Sequence, residues 1–95
     1  MKYPIDFSIF DSPTHAYGNV TGDLEFSDIP QPGAEVRLLD NLTLKVNSVS
    51  RVQGIDGNFL VSLEDVVCLS RPAAEHTGQR LESELGLFCV AYDEF

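Results

Sequence analysis

Cys68 and Cys89 are the only thiols in this 95-residue chain, and His15 and His76 its only imidazoles. Thiolate nucleophiles and soft metal sites must be built from these four side chains, and their spacing does not assemble either. The cysteines are far apart in sequence, form no CxxC pair and have no histidine pair beside them, so no zinc ligand set is present. Both fall in apolar runs, where a thiol behaves as a small hydrophobe. Buried, inert thiols are the expectation, ahead of a disulfide or a catalytic nucleophile. His76 falls beside Glu75 on a candidate helix, a position that suits a solvated surface histidine. A Cys89–His76–Asp93 arrangement can be written down, but nothing in its spacing selects it over chance. His15 stands near Thr14 and Tyr17 in a segment that reads as a loop, and loops commonly carry binding residues.

Paired carboxylates are the next candidates. Glu64-Asp65 and Asp93-Glu94 have the composition for general acid–base work or divalent-cation binding. Adjacent strand residues point to opposite faces, however, so neither pair converges by itself. No loop has the alternating oxygen ligands, closed by a glutamate, that calcium requires. Gly54-Ile55-Asp56-Gly57 opens no helix and makes no phosphate cradle; these are turn glycines. The sequence therefore calls for no metal and no cofactor, and leans away from an enzyme.

The charge is more informative. Fifteen acidic and six basic residues give a formal −9, with a pI near 4.3. Residues 1–34 hold five acids and Lys2, and residues 53–95 hold eight acids against Arg71 and Arg80. Between them, Glu35 and Asp40 face Arg37, Lys45 and Arg51, so acidic flanks enclose a weakly basic centre. A field of this sign repels phosphate backbones and anionic membrane surfaces, which makes direct nucleic-acid binding and membrane docking poor readings. Solubility alone accounts for such a charge. The sharper possibility is an acidic surface for a basic protein partner, whose complex would weaken steeply with salt. Carboxylates spaced along one face could also mimic nucleic acid, with Asp23, Glu25, Glu82 and Glu84 as the residues to inspect. No apolar run reaches the length of a membrane span, and Asp6 interrupts the region that a signal peptide needs apolar, so a cytoplasmic protein is expected.

The elements that must position these side chains are mostly short strands. Pro32 to Leu69 organises the chain. Leu42, Leu44 and Val46 alternate with Thr43 and Lys45, as on a strand with one buried face. The alternation slips before Val49, which predicts a bulge near Asn47-Ser48. A Gly-containing turn with the Asp56-Gly57 dipeptide then leads to Phe59–Leu63, predicting antiparallel pairing of the two runs. Glu35–Leu39 and Val66–Leu69 flank that pair. Tyr3, Ile5, Phe7 and Ile9 alternate on a further strand, in which Pro4 marks either a start or an edge. Val20, Gly22, Leu24 and Phe26 alternate on another.

One helix is expected, from about Arg71 to Leu85, with Ala74, Gly78, Leu81 and Leu85 on one face. Pro72 suits its first turn, Ser70 or Arg71 its cap, and Gly86 its left-handed stop. Gly78 on the apolar stripe predicts close packing against the sheet. The last run, Leu87–Tyr92, is apolar throughout and reads as a central strand. Phe95 beyond it is either tucked into the core or left out as an anchor.

Together these features predict a single domain over residues 1–95, of α+β class: a small curved antiparallel sheet or partly open barrel with one amphipathic helix before the last strand. The spacing does not separate an SH3-like barrel from an OB-like one or from an open sheet. The favoured function is a non-enzymatic protein-binding module, an adaptor, inhibitor or subunit, using its acidic surface or an exposed sheet edge. The alternative is a small-molecule-binding protein or small enzyme, with a pocket between helix and sheet that gathers His15, Tyr17 or His76. A homo-oligomer is compatible with either.

Overall fold

The computed structural model describes residues 2–51 and 59–92, with the backbone alone at Arg51. Its order is β1 (Lys2–Ser12), β2 (His15–Glu25), β3 (Glu35–Leu39), β4 (Leu42–Arg51), β5 (Phe59–Leu63), β6 (Val66–Val67), α1 (Arg71–Leu85) and β7 (Phe88–Ala91). The strands form one curled, open sheet in the order β3-β4-β5-β1-β2-β7, with β6 also on β1. The protein is therefore α+β, a half-barrel with its helix just before the last strand. The expected Asp56-Gly57 turn and Phe95 lie outside the described residues.

The core follows from the alternation. Tyr3, Ile5, Phe7 and Ile9 are buried on β1, opposite Val20 of β2, Leu44 and Val46 of β4, and Val61 and Leu63 of β5. Helix α1 lies on this inner face through Ala74, Gly78 and Leu81, all buried. Removing each larger apolar side chain from water contributes about 1.5–3 kcal/mol, and this burial outweighs intrinsic strand propensity. At Gly78 the approach is close: a Cβ there would stand 2.8 Å from Cys89 Sγ.

Helix α1 has the expected ends. Ser70 is extended and its Oγ accepts the Ala73 N–H at 3.2 Å, leaving Pro72 in the first turn, where a missing N–H is harmless. Gly86 stops it at φ 70°, donating to the Glu82 carbonyl, while the Leu87 N–H reaches the Leu81 carbonyl. The predicted bulge is also present. Val46 pairs with Leu63 and Ser48 with Ser62, so Asn47 is the extra residue.

The sheet is mostly antiparallel, as expected, but β1 pairs in parallel with β5 and β6. The β3–β4–β5 meander returns beside β1 running in its own direction, a long-range arrangement that local alternation does not reveal. Two expectations need correction. Residues 15–19 are strand rather than loop. Only Pro13 and Thr14 make the turn, and β2 pairs with β1 from His15 onward. Pairing is irregular there, with Ile9 opposite Gly18 and Phe10 opposite Ala16, and this irregularity erases the sequence alternation around Tyr17. Finally, β7 is not central. Among the described residues it pairs with β2 alone and forms one end of the sheet. Its apolar residues are divided between faces: Leu87 and Ala91 are buried, whereas Phe88 and Val90 are exposed. Among the described residues, no helix is long and apolar enough to cross a membrane.

Candidate functional site

Between α1 and β7 runs a cleft of about 370 Å³, lined by Tyr17, Glu75, Gly78, Gln79, Glu82, Cys89 and Ala91. Its helical wall is the row Glu75, Gln79, Glu82, spaced i, i+4, i+7. Each of these residues follows one of Ala74, Gly78 and Leu81, so burying the apolar stripe turns the polar row toward β7. Its floor is close-packed, because Gly78 admits the Cys89 side chain. Tyr17, the extra residue of the irregular pairing, carries the Arg71 guanidinium 5.2 Å above its ring, and Arg71 Nε meets Glu75 Oε1 at 3.2 Å.

At the other end of the row, Glu82 Oε2 accepts the backbone N–H of Cys89 at 3.3 Å. Cys89 stands opposite Val20 of β2, yet its N–H is given to the helix, on the side of β7 away from the β2 ladder. On the opposite face from the cleft, Phe88 is 65% and Val90 41% exposed. Tyr92, next along, turns across β2 to bring its hydroxyl 3.1 Å from Ser8 Oγ on β1.

The residues singled out from sequence do not gather here. Tyr17 and Glu82 line the cleft. His76 lies over a second cavity of about 160 Å³, with Leu39, Leu42, Val66 and Arg80, toward the β3–β4 hairpin. His15 lines neither cavity and sits at the β1–β2 turn, its Nδ1 2.8 Å from Asp11 Oδ1. A single pocket holding all three candidate rings is therefore not formed. Cys89 and His76 belong to different cavities, and Asp93 lies outside the described residues.

The acids are divided as well. Asp23 and Glu25 pair with Pro4 and Lys2, beyond Thr21 where the β7 ladder ends. Glu84 faces the opposite side of the helix from the cleft, with its Oε2 2.7 Å from Arg80 Nε. Arg80 continues to Asp40 Oδ1 at 2.9 Å and Asn41 Oδ1 at 3.0 Å, tying α1 to the β3–β4 turn. Hydrogen bonding to Arg80 holds the Asp40 carboxyl below the usual aspartate range, and its two carboxylates raise the guanidinium's affinity for its proton. Asp23 and Glu25 thus project from one end of a strand, and Glu82 and Glu84 from different sides of a helix.

Glu64 and Asp65 have backbone partners. Glu64 Oε1 accepts from Lys45 N at 2.9 Å. Asp65 Oδ1 accepts from Ser8 N at 3.0 Å, filling the gap between the β5 and β6 ladders on β1. Cys68 and Cys89 are partly buried and not disulfide-bonded. Among the described residues, no three His, Cys, Asp or Glu side chains are grouped to hold a metal ion.

Sequence reasoning missed Phe88, Val90, Glu75 and Gln79. The helical pair was available as the row beside the predicted apolar stripe. The strand pair carried no signal, because a continuous apolar run has the same appearance whether it is buried on both faces or exposed on one. Comparison with protein-family models, with curated proteins and with solved structures finds no match to this chain.

Proposed function

We propose that this protein is a non-enzymatic protein-binding module, an adaptor, inhibitor or subunit, that takes an extended segment of a basic partner onto the outer edge of β7. One observation carries the proposal: the same short strand ends the sheet and exposes Phe88 and Val90. Exposed apolar edges invite pairing with another chain, and proteins ordinarily blunt them. Strand addition satisfies the main chain of the incoming segment and reads its alternate side chains. The net charge of −9 adds long-range attraction for a cationic partner and disfavours nucleic acid. The setting that suits such a module is the cytoplasm.

A small-molecule site is the second reading, supported by the volume of the α1–β7 cleft, which falls in the range of ligand pockets. It is the weaker of the two because the helical wall is polar and Tyr17 is the only one of its three proposed rings in the cleft.

The test compares the wild type with the Phe88→Thr/Val90→Thr double variant, which keeps strand-forming residues and removes the apolar row. Both are immobilised in lysate of the source cell across a salt series, and captured proteins are quantified by mass spectrometry. One protein recovered stoichiometrically by the wild type, reduced about tenfold or more by the variant at unchanged melting temperature, is the expected result. Equal recovery by both proteins overturns the edge as the contact. No stoichiometric partner overturns the module and leaves the small-molecule reading.

A further inference from the structure

We infer that the segment received by β7 carries an arginine at the position directed into the α1–β7 cleft, with apolar residues on either side of it directed toward Phe88 and Val90. This rests on the strand-addition proposal above and specifies its partner.

The pleat sets the alternation. A strand added to the outer edge shares both faces of the sheet, so every second side chain lies on the face of Cys89 and Ala91, inside the cleft. The intervening side chains lie beside Phe88 and Val90, where apolar neighbours remove the most exposed carbon from water.

The cleft's own chemistry selects the cation. Tyr17 and Glu75 already hold a guanidinium, that of Arg71, by ring face and carboxylate. Farther along the same helical row, Glu82 holds a backbone N–H instead of a cation. When an incoming carbonyl takes the Cys89 N–H, the Glu82 carboxylate loses that donor inside a cleft being closed to water. A carboxylate so placed needs a compensating charge. An arginine on the incoming strand supplies it with a planar fork that also matches the Gln79 amide oxygen and the carboxylate. Glu82 therefore guards the edge in the unliganded molecule and becomes the counter-ion in the complex.

The same reasoning disfavours a second copy of this chain. Phe88–Ala91 brings no cation, so pairing β7 with β7 would strand two Glu82 carboxylates between molecules that each carry −9.

The probe is a capped peptide of alternating valine and arginine flanked by threonines, titrated into isotope-labelled protein and followed by amide NMR. Controls are the same peptide with citrulline for arginine, a block-ordered peptide of identical composition, and the Glu82→Gln variant. Glutamine keeps an acceptor for the Cys89 N–H and removes one charge among fifteen acids, so general attraction to the surface is nearly unchanged.

The alternating peptide is expected to shift and protect amides of β7 and the cleft. Citrulline or Glu82→Gln should weaken it by about fivefold or more. If the citrulline peptide docks on β7 as tightly as the arginine one, strand addition stands and the arginine inference fails. If the alternating and block peptides bind alike without protecting β7, both fail. If Glu82→Gln binds the arginine peptide as the wild type does, Glu82 is not the counter-ion and the inference is overturned. Self-association of the wild type through β7, read by sedimentation, overturns it in favour of a second copy.

Discussion

At one end of the sheet β3 presents Glu35 and Arg37 to solvent, while at the other β7 presents Phe88 and Val90. Charged side chains on the first edge make a neighbouring strand unwelcome, since pairing would desolvate them. That end is also latched, because Arg80 of α1 grips Asp40 and Asn41 at the β3–β4 turn. Toward β7 the helix packs Gly78 against Cys89 and, among the described residues, offers the Glu82 carboxylate to one backbone N–H. A latch of several charge-assisted bonds belongs to an edge that stays closed. One carboxylate on one amide is a contact that a competing strand can replace. The two edges differ in what holds them as much as in hydrophobicity.

Three substitutions break or sharpen this contrast. The largest effect is expected at Gly18, where a Cβ would meet the Val90 carbonyl oxygen at 2.6 Å. That obstacle is backbone and cannot rotate away. Gly18→Ala should push β7 off β2, costing about 1–3 kcal/mol in denaturant unfolding and abolishing peptide binding. Hydrogen exchange should accelerate at Val90 and stay unchanged on β3. Retention of native protection at Val90 would show that β7 does not rest on this close approach.

Gly78→Ala should do less. Its nearest obstacle is Cys89 Sγ at 2.8 Å, the end of a side chain that can turn, and alanine recovers about 1 kcal/mol of helix propensity. A melting temperature within a few degrees of the wild type is expected, with a narrowed cleft and weaker binding of the arginine peptide. Unchanged affinity would remove the cleft floor from the binding surface.

The smallest effect belongs to the closed edge. Arg80→Gln should let the Asp40 pKa rise toward the ordinary aspartate range, as followed by carboxyl NMR. Asp40 has a folded pKa lowered by Arg80, so its contribution is present above the unfolded value and lost as pH falls through the folded one. The pair is open to solvent, so the two proteins should differ little in stability at neutral pH and converge in acid. An Asp40 pKa indifferent to Arg80 would mean that the latch does not form in solution.

The helix was legible almost residue by residue because its signals are local. Ser70, Pro72 and Gly86 each act within one turn, and the Ala74–Gly78–Leu81 stripe repeats at a fixed spacing. The Asn47 bulge was equally legible, since a period of two cannot skip a residue unnoticed. What failed depended on distant partners. Nothing around Ile5 announces a parallel neighbour at Val61, and the tight turn at Pro13-Thr14 made strand of a segment lacking alternation. The site was illegible for the same reason. Phe88 and Val90 are exposed because they lie on the face away from α1 and, among the described residues, no strand pairs with the outer side of β7, which is a fact about topology and not about residues 87–92.

The position of β1 has a consequence for how the chain folds. Its pairing with β2 closes across two turn residues and can form early, but its other side is completed only when Ile5 meets Val61 and Ile9 meets Val66. Closing so long a loop is entropically costly before any contact repays it, and folding is expected on the scale of about milliseconds to seconds. Throughout that interval the β1–β2 hairpin shows an edge nearly three times the length of β7, bearing Tyr3, Ile5, Phe7 and Ile9 on its uncovered face. The acids of the flanks, with like charge on every copy, then keep half-folded chains apart.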